Sequence, residues 1–139
     1  MDINQKKQFS LSSLQIVEID ERINLIKSSI PKEFSRKPRS LKELDRWKAT
    51  ELRQFLCYTG IFVLHGILPP VYYNHFLLLF CAMRILCDKI ECIRNNECAA
   101  AMLKRFVNKF GDLYGEHSVS YNVHNLIHIP VDVLNYGNV

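Results

Sequence analysis

Residues 69–89 read PPVYYNHFLLLFCAMRILCDK, and this stretch decides the fold. Proline is tolerated in the first turn of a helix, where its missing amide hydrogen would have had no partner, so Pro69 and Pro70 suit a loop that opens a helix. Between Phe76 and Met83 the helix has no polar face. Because a helix that is apolar on all sides must be covered on all sides, we expect a central helix at about residues 70–89.

The same stretch does not predict a membrane span. The apolar run from Phe76 to Met83 is well short of the roughly 20 residues that a transmembrane helix needs, and His75 and Arg84 stand at its ends. Residues 1–8 are polar and carry no apolar core of a secretory signal. We therefore expect an intracellular protein, nuclear or cytoplasmic, without a membrane partner.

Helical periodicity extends to both sides of the central helix. Residues 11–30 form an imperfect helical pattern that Pro31 ends, and a second pattern runs from Thr50 to Gly66. After the central helix, Asn95 or Asn96 can cap a further helix that ends at Gly111 or Gly115. The final stretch predicts a short helix at about 121–128, an interruption at Pro130 and a last turn through Leu134.

Strand signals are almost absent, so the predicted fold class is all-α. We expect about five helices in an irregular bundle around the central helix, with a basic linker near residues 31–39. The 139 residues, 48% of them hydrophobic, suffice for a core of their own. The predicted organisation is a flexible N-terminal leader, residues 1–10, followed by one helical domain, residues 11–139.

Five cysteines are spread through apolar helical patterns without a Cys-x-x-Cys pair. An odd number in such surroundings predicts buried, reduced thiols and a reducing compartment. No sequence context places a base beside any of them. They are Cys57, Cys81, Cys87, Cys92 and Cys98.

The net charge of +4 comes from residues 32–53, which hold eight basic and four acidic side chains. Clustered positive charge can contact phosphates without reading bases, which makes this segment the candidate nucleic-acid contact. The alternative is a solvated linker whose acidic residues offset half of the charge. The basic residues are Lys32, Arg36, Lys37, Arg39, Lys42, Arg46, Lys48 and Arg53.

His124 and His128 are four residues apart, so on a helix both imidazoles share one face and could share a metal. Asn125 stands where a His-Glu-x-x-His motif has its glutamate, and no third ligand is evident. The alternative is that both are capped or hydrogen-bonded in the core, and we predict no metal site and no cofactor. His65 and His75 flank the Pro69–Pro70 turn and could form an acid/base or ligand pair, although their positions favour ordinary helix-edge residues.

Several separated blocks occur together in this sequence: PRSL at 38–41, WKATELR at 47–53, GILPPVYYNHFLLL at 66–79 and SYNVHNLIHIPVDVLNYG at 120–137. In order and spacing they resemble the C-terminal helical region of CACTA-type (En/Spm-like) transposases. The resemblance covers about residues 20–139. In that family this region looks like the helical portion that follows the metal-binding carboxylates of a ribonuclease-H-like nuclease core.

The resemblance implies a transposase-derived helical domain that supports an active site and does not form one. Nuclease chemistry of that kind needs three carboxylates on an α/β sheet that hold two metal ions, and no apolar strand here delivers an aspartate at its end. No catalytic residue can be carried over. The expected activity is none, and the alternative is a domesticated module that binds DNA or protein through residues 32–53. Candidate partners are DNA phosphates, a transposase-like protein or a second copy of the chain.

Overall fold

The computed structural model describes residues 11–29, 40, 46 and 49–139. All regular structure in these residues is helical and none of them forms a strand, which confirms the all-α prediction. The predicted leader, residues 1–10, and the basic linker, residues 31–39, lie outside the described residues. The α-helices are α1 (Ser13–Lys27), α2 (Ala49–Gln54), α3 (Gly60–Leu64), α4 (Pro70–Cys87), α5 (Glu91–Arg94), α6 (Asn96–Tyr114), α7 (Tyr121–His124) and α8 (Ile129–Tyr136).

The described residues divide into two compact units, 11–73 and 74–139. The boundary falls in the second turn of α4, so the predicted central helix contributes residues to both. We call them the N-terminal unit and the C-terminal unit. The single domain expected from the sequence stays a prediction.

In the N-terminal unit, α1 packs against α3. A capping box starts α1: the Ser12 hydroxyl accepts from the Gln15 amide, and the Gln15 side chain accepts from the Ser12 amide. Ile19 and Ile23 of α1 are almost completely buried. The Arg22 guanidinium donates to carbonyls at the end of α3, including that of His65, and this places a positive charge at a helix C-terminus, where the dipole favours it.

The helix predicted from Thr50 to Gly66 contains an irregularity that periodicity did not indicate. Between α2 and α3, the segment Phe55–Thr59 is π-helical, and Gly60 donates its amide to the Phe55 carbonyl. Cys57 and Thr59 in this segment are buried. The predicted end of the helix is confirmed, because Gly66 follows α3 with a positive φ of 76°.

The core of the C-terminal unit joins α4, α5, α6 and α8 through six buried apolar residues. In the same unit, the buried Asn96 side chain donates to the carbonyls of Cys92 (3.0 Å) and Pro130 (2.9 Å). The second hydrogen bond connects the start of α6 to the start of α8. Such bonds satisfy buried polar groups that would otherwise cost free energy. The core residues are Ala82, Leu86, Cys92, Ala99, Leu103 and Val133.

The predicted interruption at Pro130 is wrong, because this proline lies in the first turn of α8. The helical path continues from α7 through a 3-10 segment, Asn125–His128, into α8. A proline in the first turn removes only an amide hydrogen that has no partner within the helix, so it starts a helix here. Helix α8 ends before Gly137, which has a φ of 96°. Beyond it, the Val139 amide donates to the Leu86 carbonyl at 3.0 Å.

Helix α4 is not covered on every side, contrary to the expectation for its apolar run. His75, Ala82, Met83 and Leu86 are buried, whereas residues 76–80 are half-buried and Cys81 is exposed. Among the described residues, α4 is the one helix long and apolar enough to cross a membrane, with a mean hydropathy of 1.3 over 18 residues. Length and composition do not distinguish a membrane span from the core helix of a soluble protein, so the intracellular location stays a prediction.

Candidate functional site

The basic segment is described in part. Arg46 and Arg53 are exposed, whereas Glu51, one of the four acidic residues that offset the charge, is only 4% exposed. The other basic residues lie outside the described residues: Lys32, Arg36, Lys37, Arg39, Lys42 and Lys48.

His124 and His128 lie side by side on the surface of the C-terminal unit. His124 is the last residue of α7 and His128 the last of the following 3-10 segment. Their ring centroids are 6.2 Å apart and the ring planes meet at 79°. Both residues are exposed, so the expectation that they are buried in the core is wrong.

The helix that carries His124, α7, begins at a capped residue. Ser120 caps α7, its hydroxyl accepting from the Val123 amide at 3.3 Å. That start directs Val123 and Leu126 inward as half-buried residues and leaves His124 outward. No group of three or more histidine, cysteine, aspartate or glutamate residues that could hold a metal ion occurs in the described part of the chain.

His75 is a buried histidine with a defined partner. Its Nε2 atom donates to the Phe106 carbonyl at 2.8 Å, its ring stacks on the Phe106 ring, and Phe110 and Tyr114 complete an aromatic surrounding. Burial lowers the pKa of His75 below its ordinary value, and the charge of Lys109 lowers it further against the opposing effect of the Phe106 hydrogen bond. The neutral imidazole is thus the form that the C-terminal unit stabilises.

His65 does not form a described pair with His75. It follows the last residue of α3 in the N-terminal unit, is exposed, and meets Tyr73 edge to face with ring centroids 5.5 Å apart. His75 belongs to the C-terminal unit. The acid/base pair considered from the sequence therefore gains no support from the contacts within either unit.

The acidic residues on the described helices of the C-terminal unit either cap helix ends or lie on the surface. The Asp88 carboxylate accepts from the amides of Ile90 and Glu91, both at 2.8 Å, and so caps α5. These two hydrogen bonds hold the pKa of Asp88 below its ordinary value. Glu91 is half-buried and is hydrogen-bonded to Asn95. The exposed members of the set are Glu97, Asp112, Glu116 and Asp132.

The cysteines are more varied than their apolar sequence context predicts. All five are free thiols; Cys57 and Cys92 are buried, but Cys81 and Cys98 are exposed and Cys87 is intermediate. The prediction of burial is wrong for Cys81 because α4 is not covered on that side. Cys98 is exposed because it lies beside Ala99, which takes the inward position of α6.

Large apolar side chains are exposed on or next to α5 and α8, two helices that pack against each other. Ile90 and Ile93 are 66% and 69% exposed, and Val131 and Leu134 are 58% and 55% exposed. We call these four residues the α5–α8 apolar surface. The sequence did not reveal it, because α8 is apolar on two faces and only the contacts show that Val133 faces the core.

The chain matches no protein-family model, and no curated protein or solved structure matches it at a significant level.

Asn96 is the structural residue that sequence reasoning missed. We expected Asn95 or Asn96 to cap α6 through its side chain, but Asn95 at the cap position makes no side-chain cap hydrogen bond. Asn96 instead points into the core toward Pro130. A sequence signal for this role is lacking, because its partner lies 34 residues along the chain.

Proposed function

We propose that this chain is a transposase-derived helical module that acts by binding and supports a ribonuclease-H-like core without catalysing a reaction itself. The observation that carries the proposal is the α5–α8 apolar surface. Exposed apolar patches on small helical domains commonly mark protein contacts. Its four residues belong to the part of the sequence that resembles the helical region of CACTA-type transposases.

The proposed occupant of the α5–α8 apolar surface is the nuclease core of such a transposase. In the family that this sequence resembles, the helical region follows the nuclease core in one polypeptide. The resemblance therefore implies that the core lies next to the helices and can contact their apolar surface. Apolar anchors such as Ile93 and Leu134 gain free energy when a partner removes them from water. A core-supporting role requires no catalytic group on the helices.

The test is a binding titration of the full chain with a separately purified CACTA-type nuclease core. We expect saturable binding that the double variant Ile93→Asp and Leu134→Asp weakens by roughly tenfold or more, since charge at an apolar contact is costly to desolvate. Leu25→Asp is the matched control, because Leu25 on α1 is also an exposed apolar residue, at 72% exposure. Absence of binding, or equal loss in the control, would contradict the proposed surface.

Catalytic inactivity is tested on the same preparation. The chain incubated with duplex DNA and Mg²⁺ or Mn²⁺ should leave the DNA intact, whereas metal-dependent cleavage that copurifies with the chain and responds to substitution of its acidic residues would overturn the proposal.

A second candidate function is backbone contact with DNA through residues 32–53. The exposure of Arg46 and Arg53 favours it. Because phosphate contacts release counterions, binding of this kind should weaken steeply as salt increases and should not depend on base sequence.

The DNA hypothesis has a charge-matched control. Neutralising Arg36, Lys37 and Arg39 to glutamine should reduce both the affinity and its salt dependence. Neutralising Lys104, Arg105 and Lys109, which are exposed on α6, removes the same formal charge and should have a smaller effect. If both triple variants lose equal affinity, net charge and not the segment accounts for binding.

A further inference from the structure

We infer that His124 and His128 form a two-histidine surface site for a divalent transition-metal ion, with Cu²⁺ the preferred ion. Both side chains are exposed and stand next to each other with ring centroids 6.2 Å apart. Imidazole is a ligand for copper, nickel and zinc, and it coordinates in its neutral form. This inference replaces our sequence-based prediction that these histidines form no metal site. It goes beyond the proposed binding function and does not depend on it.

The separation of the rings fits one shared ion. A metal–nitrogen bond of about 2.0–2.1 Å, plus about 1.2 Å from the nitrogen to the ring centre, lets two ring centres on one ion lie up to roughly 6.4 Å apart when the nitrogens are opposite each other, and roughly 4.5 Å apart when they occupy adjacent positions. The observed 6.2 Å is within the larger of these limits. Because both side chains are exposed, we expect rotation about their side-chain bonds to bring the rings to the shorter separation that adjacent coordination requires.

Two protein ligands define the type of site. No group of three ligating side chains that could hold an ion occurs among the described residues, so we propose the site with two protein ligands and water in its remaining coordination positions. Such a site is open and exchangeable, unlike the closed four-ligand sites that stabilise folds. With only two ligands, the intrinsic order of metal affinities decides the preference, and that order places Cu²⁺ first.

The test is a titration of the full chain with the Cu²⁺–iminodiacetate complex, which leaves coordination positions free for two imidazoles. All proteins carry Cys81→Ser and Cys98→Ser, because these exposed thiols would reduce or bind copper. We expect one complex per chain and an electron paramagnetic resonance spectrum that shows two imidazole nitrogens. His124→Ala and His128→Ala should each weaken binding by about tenfold or more and leave one imidazole nitrogen.

His65→Ala and His117→Ala are the matched controls, since both residues are exposed histidines outside the pair. They should bind the complex with unchanged affinity. His128→Gln provides a second variant, and circular dichroism of every variant verifies that the helices remain formed. Unchanged affinity in His128→Ala and His128→Gln, or equal losses in the controls, would overturn the site.

Discussion

The imidazole of His75 and the backbone carbonyl of Phe106 are joined by a 2.8 Å hydrogen bond in which Nε2 donates, while the two rings stack with centroids 4.1 Å apart. One residue thus fixes α4 to α6 by both a polar and an aromatic contact. The arrangement uses the neutral imidazole, because burial disfavours the cation. The stability of the C-terminal unit should consequently depend on pH.

We predict that acidification destabilises the chain through His75. Its pKa is below the ordinary value of 6.5 in the folded state, so the unfolded chain binds the proton more tightly. The contribution of His75 to stability is therefore complete above about pH 6.5 and is lost as the pH falls from there through the folded-state pKa. Urea denaturation at pH 7.5 and pH 5 measures this loss as a decrease in the free energy of unfolding.

In that experiment, His75→Leu should show a smaller loss of unfolding free energy between pH 7.5 and pH 5 than the wild type. His117→Ala, which removes an exposed histidine, should retain the wild-type difference. A wild-type pH dependence that survives in His75→Leu would show that other groups cause it.

Asn96→Ala should destabilise the chain by about 1–3 kcal/mol, because it removes donors from two carbonyls in a buried site. Chemical denaturation is the measurement. Asn108→Ala is the control: Asn108 is exposed on the same helix, and its replacement should be within about 0.5 kcal/mol of neutral. Similar losses of unfolding free energy in both variants would mean that the Asn96 hydrogen bonds between α6 and α8 do not stabilise the chain.

The cap formed by Asp88 should be visible in local hydrogen exchange. In Asp88→Ala the amides of Ile90 and Glu91 lose their acceptor, so their exchange should accelerate, whereas Asp112→Ala on the exposed face of α6 should leave them unchanged. In the wild type the same bonds keep the pKa of Asp88 low, so protection should be lost only as the pH falls below the ordinary value of 3.8. Exchange followed by nuclear magnetic resonance provides both readouts.

Native-state alkylation should separate the cysteines by burial. Cys81 and Cys98 are exposed and should react with iodoacetamide under native conditions, whereas Cys57 and Cys92 should react only after denaturation. Mass spectrometry of digested samples, with and without urea, locates the modified residues. Rapid native labelling of Cys92 would contradict the described core, in which it is 2% exposed.

The sequence predicted those features of the fold that depend on neighbouring residues. Capping residues and glycines identify helix ends locally, as Gly66 and Gly115 do here, and the structure confirms both as helix stops. The sequence likewise predicted a helix after Asn95, and the structure places α6 there with Ala99, Leu103 and Phe106 buried at a spacing of three and four residues. These signals act within one or two helical turns, where sequence spacing determines spatial arrangement.

The features that were missed depend on contacts distant in sequence. The burial of Asn96 is determined by Pro130, and the exposure of Cys81 by the absence of a covering element in the described residues. The candidate site shows the same limit. The spacing of His124 and His128 predicted that they share a face, but only packing decided that this face is open to solvent.

The π-helical segment Phe55–Thr59 has a consequence for how the chain tolerates insertions and deletions. A π segment accommodates one more residue per turn than the α-helix on either side of it. Because a π turn absorbs one extra residue with little net rotation, deleting one residue there should restore a regular helix and leave the residues after it facing nearly the same way, whereas a deletion in a regular α-helix would rotate them by roughly 100°. Val63 and Leu64 would then remain buried as α3 packs against α1, so this segment can lose one residue without breaking that packing.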